Sequence, residues 1–195
     1  MSGPVVILAS GSPRRRELLA AAGFEFEVVS PSVPEAIGAF LTLRELTLLN
    51  ATRKGLAAAR AVPEKVVIAA DTLIALGRVV IGKPGSLTEA VEILRRLSGR
   101  THEVCTTVFI AQLACERTKI FSETSQVRFR QLSESEISEY LAKVNPLDKA
   151  GGYAAQGCGR EIISEVRGSF SNVVGLPMEG TVAALRQFEV FPRSA

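Results

Sequence analysis

Read by its hydrophobic and polar positions, the chain alternates short apolar runs with longer amphipathic stretches. Strand-like runs fall at Val5–Ala9, Phe24–Val29, Val66–Ala70, Val104–Leu113 and Ile120–Arg130, with a shorter one near Glu161–Val166. Helical patterns occupy the intervals: Arg14–Ala22, an alanine-rich Leu41–Ala61, Ser86–Leu97, Ser133–Val144 and Met178–Phe188. Two of them open with capping boxes, Ser86 to Glu89 and Ser133 to Glu136, and stop at Gly99 and before Pro146. This alternation predicts an α/β fold. The two long runs flanking Ala114-Cys115-Glu116-Arg117 read instead as an antiparallel hairpin. The expectation is therefore a mixed β-sheet flanked by helices rather than an all-parallel one.

Composition changes this picture little. At 195 residues, 47% hydrophobic and 22% charged, the chain fits one domain or two small lobes sharing a core. A formal charge of +3 is too small to imply a nucleic-acid partner, and the basic excess gathers at Arg14, Arg15 and Arg16. No apolar run approaches the roughly 20 residues that span a bilayer, and the N-terminus does not read as a secretion signal. The three cysteines, Cys105, Cys115 and Cys158, form no CxxC and read as structural thiols of a cytoplasmic protein. The single histidine, His102, rules out a multi-histidine metal site within one chain, and no acid or nucleophile pattern surrounds it. It reads as structural. Any metal then falls to carboxylates, which favours magnesium or manganese.

Several segments carry possible chemistry. After the first apolar run, Ser10-Gly11-Ser12-Pro13-Arg14-Arg15-Arg16 turns sharply into a helix, with Ser12 at the N-cap and Pro13 in the first position. Free backbone N–H groups, the helix dipole and the arginines suit an anion; a capped surface helix with solvated arginines is the plainer alternative. Asp71 follows the apolar Val66–Ala70 directly, the place where α/β sheets bind ligands, although it also suits a turn. Gly77 to Lys83 partly matches a P-loop, but Pro84 lacks both the metal-binding hydroxyl and a backbone N–H. That reading fails, and Lys83 stands either as a phosphate contact or as a solvated turn residue. Between Asp148 and Gly159 the chain is glycine-rich around Gln156, whose amide has donors and an acceptor for a nucleobase edge. A flexible connection is the alternative.

Taken in order, Ser10-Gly11-Ser12-Pro13-Arg14-Arg15, Ala70-Asp71-Thr72, Gly82-Lys83-Pro84, Asp148-Lys149-Ala150-Gly151-Gly152-Tyr153-x-x-Gln156-Gly157 and Asn172-Val173-Val174-Gly175-Leu176-Pro177 resemble the Maf family of nucleotide pyrophosphatases. The resemblance runs over nearly the whole chain and implies a single domain over residues 1–195. It implies a mixed, elongated sheet with flanking helices and two lobes around a central nucleotide-binding cleft. It further implies a cytoplasmic, often dimeric enzyme that cuts a nucleoside triphosphate to monophosphate and pyrophosphate with a divalent cation, Mg2+ or Mn2+. No membrane or stable nucleic-acid partner is expected.

Carried over by motif, Asp71 is the acceptor that activates water and a metal contact, with Glu35 the second metal carboxylate. Arg14, Thr72 and Gln156 match base-specificity positions of the branch that acts on dTTP and UTP. Ser10, Ser12, Arg15, Lys54 and Lys83 match phosphate-contacting positions. The branch acting on methylated guanosine triphosphate has a glutamate-centred pattern where Gln156 stands, which weighs against it. Two departures stand out: Ala155 precedes Gln156 where the family often has a bulky aliphatic residue, and Gly55 follows Lys54 where alanine is commoner. The competing reading is a non-catalytic nucleotide- or nucleic-acid-binding regulator of cell division built on Arg14–Arg16. Against it, aromatics make up only 6% of the chain and no basic stripe extends the cluster.

Overall fold

The structure, a computed structural model, describes residues 6–36 and 40–193. Seven strands form one mixed sheet: β1 (Val6–Ala9), β2 (Glu27–Val29), β3 (Val66–Leu76), β4 (Val79–Ile81), β5 (Thr101–Gln112), β6 (Arg117–Phe129) and β7 (Ile163–Arg167). Their order is β2-β1-β3-β5-β6-β7, with β4 also pairing with β3. β1 runs parallel to β2 and β3, whereas β4 and β7 pair antiparallel with β3 and β6. The helices are α1 (Pro13–Ala21), α2 (Leu43–Ala61), α3 (Leu87–Leu97), α4 (Glu134–Lys143), α5 (Phe170–Val174) and α6 (Met178–Arg186). The expected mixed α/β architecture is present. The hairpin at Ala114–Arg117 is there too, closed by a 3-10 turn over Leu113–Cys115 and left-handed Glu116.

By chain contacts the molecule divides into two compact units. The first holds residues 1–71, 106–123 and 175–195, and the second holds 72–105 and 124–174. In the first unit, strand periodicity sorts the core to the two faces of the sheet. Val6, Leu8, Val66, Ile68, Ala70, Val108 and Ile110 pack with Leu19 of α1 and Ala184 and Leu185 of α6. Their neighbours in sequence, Ile7, Ala9, Val67, Ala69, Phe109 and Ala111, pack instead with Ala51, Ala58 and Ala59 of α2. Alanines let that helix lie close to the sheet, and Gly55 takes this furthest. A methyl group placed on Gly55 would overlap the ring of buried Phe109. At Gly55 the helix backbone thus lies too close to Phe109 for a side chain, which accounts for the departure seen at this position. A chain of hydroxyls, buried at Thr47 and Thr107 and half-buried at Ser122, crosses the same interface: Thr47 Oγ1 to Thr107 Oγ1 and Thr107 Oγ1 to Ser122 Oγ, each at 2.8 Å.

In the second unit α3 buries Ala90, Ile93, Leu94 and Leu97, one face at the spacing its sequence predicts. Each of the larger three contributes about 1.5–3 kcal/mol through burial. The reciprocal box forms at α4, between Ser133 and Glu136. It is only half-made at α3: Ser86 accepts from the Glu89 N–H, while the Glu89 carboxylate accepts from Gly85. A full box does form at the start of α2, between Thr42 and Glu45.

Three expectations change. The strand expected to end at Ala70 continues to Leu76, because nothing between Ala70 and Leu73 breaks it and the Asp71 carboxylate finds partners inside the fold. The glycine-rich segment is not a flexible connection: Gly151 adopts φ 73° and donates its N–H to the Gly82 carbonyl at 2.8 Å. The Cys115 thiol lies exposed in the hairpin turn, so only Cys105 is a buried core thiol.

His102 lies on β5 in the second unit, 1% exposed, with Nε2 2.7 Å from the Tyr153 hydroxyl and its ring edge-on to Phe129 and Tyr153. Burial lowers its pKa from 6.5 to about 4. Since the folded form resists the proton, the unfolded chain binds it first as pH falls. The stability held by neutral His102 is therefore complete above pH 6.5 and drains away towards pH 4. The loss is at most about 3 kcal/mol. Urea midpoints measured from pH 7 to pH 4 will show that slope, and His102→Gln, which keeps a partner for Tyr153, will flatten it. Gly55→Ala will lower the midpoint by about 1–3 kcal/mol despite alanine's better helix propensity. Phe109→Leu in the same chain will recover part of that loss.

Candidate active site

Asp71 lies on the same face of β3 as Val67 and Ala69, the face covered by α2. Its residue is 3% exposed, so the charge needs partners nearby. Two residues of α2, one turn apart, supply them. Lys54 Nζ lies 2.6 Å from Asp71 Oδ1, and Asn50 Nδ2 donates to Asp71 Oδ2 at 3.3 Å. Lys54 Nζ also contacts Glu35 Oε1 at 2.9 Å. One ammonium therefore stands between two carboxylates, one buried and one exposed.

The sharp turn after β1 builds a second cation beside this group. Ser12 occupies the N-cap of α1, but its side chain makes no cap bond; its N–H donates to Ser10 Oγ at 3.2 Å. Arg15 Nη1 donates to the same Ser10 oxygen at 3.0 Å, and Arg15 Nε to the Gly175 carbonyl at 2.8 Å. Desolvation lowers the Arg15 pKa; Asp71 and Glu35 oppose that shift, and Arg14 adds to it. The guanidinium thus feels both carboxylates and its own neighbour. Arg16 is exposed, in keeping with a solvated residue.

Seven of the expected residues, Ser10, Ser12, Arg14, Arg15, Glu35, Lys54 and Asp71, fall in the first unit. Hydrogen bonds and ion pairs join Glu35, Lys54 and Asp71 into one group and Ser10, Ser12 and Arg15 into another. Thr72, Lys83 and Gln156 belong to the second unit. Thr72 is the next residue of β3, half-buried; Lys83 is exposed; Gln156 is half-buried at the cap of a 3-10 turn over Gly157–Glu161, beside buried Ala155. Asn50 was not foreseen. Its one signal in the sequence is its place four residues before Lys54, on the same helix face, and that signal is silent until β3 is known to lie beneath.

Comparison with known proteins agrees with the motifs. The family model described as Maf-like protein matches residues 5–188. Two similar relatives, each called dTTP/UTP pyrophosphatase, come from Bacillus cereus and Bacillus anthracis. The first is 43% identical over 95% of this chain and 90% of its own length, the second 42% identical over 95% and 96%. A solved structure titled as a nucleoside-triphosphatase / dITP/XTP pyrophosphatase from Mycobacterium abscessus is 14% identical over 93% of this chain and 94% of its own, with a TM-score of 0.46.

The ion pairs differ in weight because their burial differs. Lys54→Met leaves the Asp71 carboxylate without its cation and will lower stability by about 3 kcal/mol. Glu35→Gln removes only the exposed partner and will cost under about 1 kcal/mol. Urea denaturation of both variants at pH 7 checks the contrast.

Proposed function

The chain belongs to the Maf-like protein family, and from that membership and the Asp71 cluster we propose that it hydrolyses dTTP and UTP to the nucleoside monophosphate and pyrophosphate. The observation that carries this reading is a buried carboxylate held on β3 against a lysine, beside an arginine that opens a helix. A triphosphate brings about four negative charges, which Arg15 and Lys54 offset together with the N-terminus of α1; Lys83 is assigned to phosphate through the motif it matches. Water attacks the α-phosphorus; the bond from that phosphorus to the α,β-bridging oxygen breaks; pyrophosphate leaves with the electron pair. The water proton passes to the Asp71 carboxylate. Asp71 Oδ1 sits 2.6 Å from Lys54 Nζ in the free protein. A phosphate that draws the ammonium towards itself releases that oxygen for the proton. Substrate arrival and exposure of the acceptor are then one event.

The residues present fit a divalent cation. Glu35 and Asp71 offer hard oxygen donors that already converge on a single positive centre at 2.9 and 2.6 Å. With substrate phosphates they would complete the oxygen set that Mg2+ or Mn2+ prefers. Bound there, such an ion supplies charge neutralisation on the phosphates.

For base choice the reading rests on Arg14, Thr72 and Gln156, through the motifs they match. Cytoplasmic residence, a homodimer and the absence of a stable nucleic-acid partner belong to the same reading, supported by the family and by a net charge of only +3. The regulator alternative is not favoured, since a pure anion binder has no use for two carboxylates beside its cations.

With dTTP or UTP and Mg2+ or Mn2+, purified protein will release one pyrophosphate per turnover. Release of orthophosphate with a nucleoside diphosphate would contradict the reaction. Asp71→Asn will lower kcat by about 10²–10⁴-fold with an unchanged circular dichroism spectrum; near-normal turnover would remove Asp71 from the chemistry.

A further inference from the structure

Asn50 lies inside α2, 2% exposed, and every one of its side-chain bonds leads to the site. Its Oδ1 accepts the Ala36 N–H at 2.7 Å, and its Nδ2 donates to the Ala36 carbonyl and to Asp71 Oδ2, each at 3.3 Å. The orientation of the amide follows from its partners. A backbone N–H can only donate and a carboxylate only accepts, so the carbonyl end must face Ala36 and the amino end Asp71. A flipped amide would set oxygen against carboxylate and nitrogen against N–H. The residue beside Ala36 is Glu35, the other carboxylate on Lys54. One buried amide therefore ties the segment carrying Glu35 to the strand carrying Asp71.

We propose that Asn50 is a positioning residue: it fixes the Glu35–Ala36 segment against Asp71 and assigns the two Asp71 oxygens different tasks. Oδ2 is occupied by Asn50, and Oδ1 is the oxygen presented to Lys54 and, when substrate displaces that lysine, to the reacting water. Without the amide bond the carboxylate can rotate about its last torsion, and either oxygen can take either place. Without the Ala36 bonds, residues 31–36, which belong to no helix or strand, lose an anchor to the helix, and Glu35 loses its fixed approach to Lys54. The sequence makes this an unusual use of the position. A fully buried asparagine in a helix interior gives up helix propensity and carries a desolvation cost, which its bonds to Asp71 and Ala36 offset.

This inference rests on the pyrophosphatase reading for its kinetic arm and is independent of it for its structural arm. The structural arm measures hydrogen exchange at the Ala36 amide by NMR on the full-length protein without metal or nucleotide. Two variants separate the bonds. Asn50→Leu keeps the volume and removes every polar contact. Asn50→Asp retains an acceptor for the Ala36 N–H and replaces the amide donor with a second carboxyl, which when ionised opposes the Asp71 charge and when protonated ties up a proton on Oδ2. Protection of Ala36 is expected to fall about tenfold or more in Asn50→Leu and to persist in Asn50→Asp, as expected for one hydrogen bond. In the kinetic arm, with dTTP and Mg2+, both variants are expected to lose about tenfold or more in kcat, with KM for dTTP changed less than about threefold.

Ala36 protection equal to wild type in Asn50→Leu would overturn the tether. Wild-type kcat in Asn50→Asp would overturn the assignment of the Asp71 oxygens. Should Asn50→Leu fail to fold, the near-isosteric Asn50→Asp decides alone: retained Ala36 protection with reduced kcat supports the proposal, and lost protection or unchanged kcat overturns it. Failure of the underlying reading looks different. In that case Asp71→Asn itself keeps activity, whereas here Asp71→Asn is inactive and only the Asn50 variants match wild type.

Discussion

A carboxylate in the middle of a buried strand is the constraint from which the arrangement of the first unit follows. Moving an isolated charge from water into a protein costs several kcal/mol, far more than a strand position can contribute by itself. Asp71 escapes that penalty only because α2 delivers an ammonium and an amide to its two oxygens. Helix position and strand position therefore have to be specified together. Asn50 and Lys54 are one turn apart, so a rotation of α2 by even one residue would take both away from Asp71 at once.

The small residues on α2 accomplish that registration. Ala51, Ala58 and Ala59 give the helix a nearly flat underside, and Gly55 admits the edge of Phe109. A ring seated at a glycine resists both sliding and rotation, since either movement drives it against a side chain. Packing of this kind is apolar and lies away from the charged groups, yet it sets where the lysine one residue earlier can reach. The opposite face of the sheet carries no such demand and uses larger residues, Leu19, Leu185 and Phe188 among them.

Local chemistry was readable where it depended on neighbours in sequence. The apolar run before Ser10, proline at the start of α1 and the box at Ser133 all declare themselves within a few residues. The ordered motifs carried the family. What stayed hidden depended on partners far along the chain. β3 read as ending at Asp71 because an acid usually terminates an apolar run, and its cation lies 17 residues earlier on a helix. The glycine-rich segment read as loose because composition cannot show that Gly151 is bonded to Gly82. Asn50 was illegible for the same reason: a single polar residue in a helix has no face until the fold supplies one.

The hydroxyls of Thr47, Thr107 and Ser122 have an arithmetic of their own. Each owns a single hydrogen, and Thr47 directs its own to carbonyls of its helix, Leu43 at 3.1 Å and Arg44 at 3.0 Å. Thr107 must then give its hydrogen to Thr47, and Ser122 must give its to Thr107, so the row has a direction. Exchanging the middle member for valine takes the acceptor from the Ser122 hydrogen, while Thr47 keeps its bonds to the Leu43 and Arg44 carbonyls. The cost of breaking the row therefore falls on the sheet side, at Ser122, and leaves the hydroxyl of the helix bonded within its own turn.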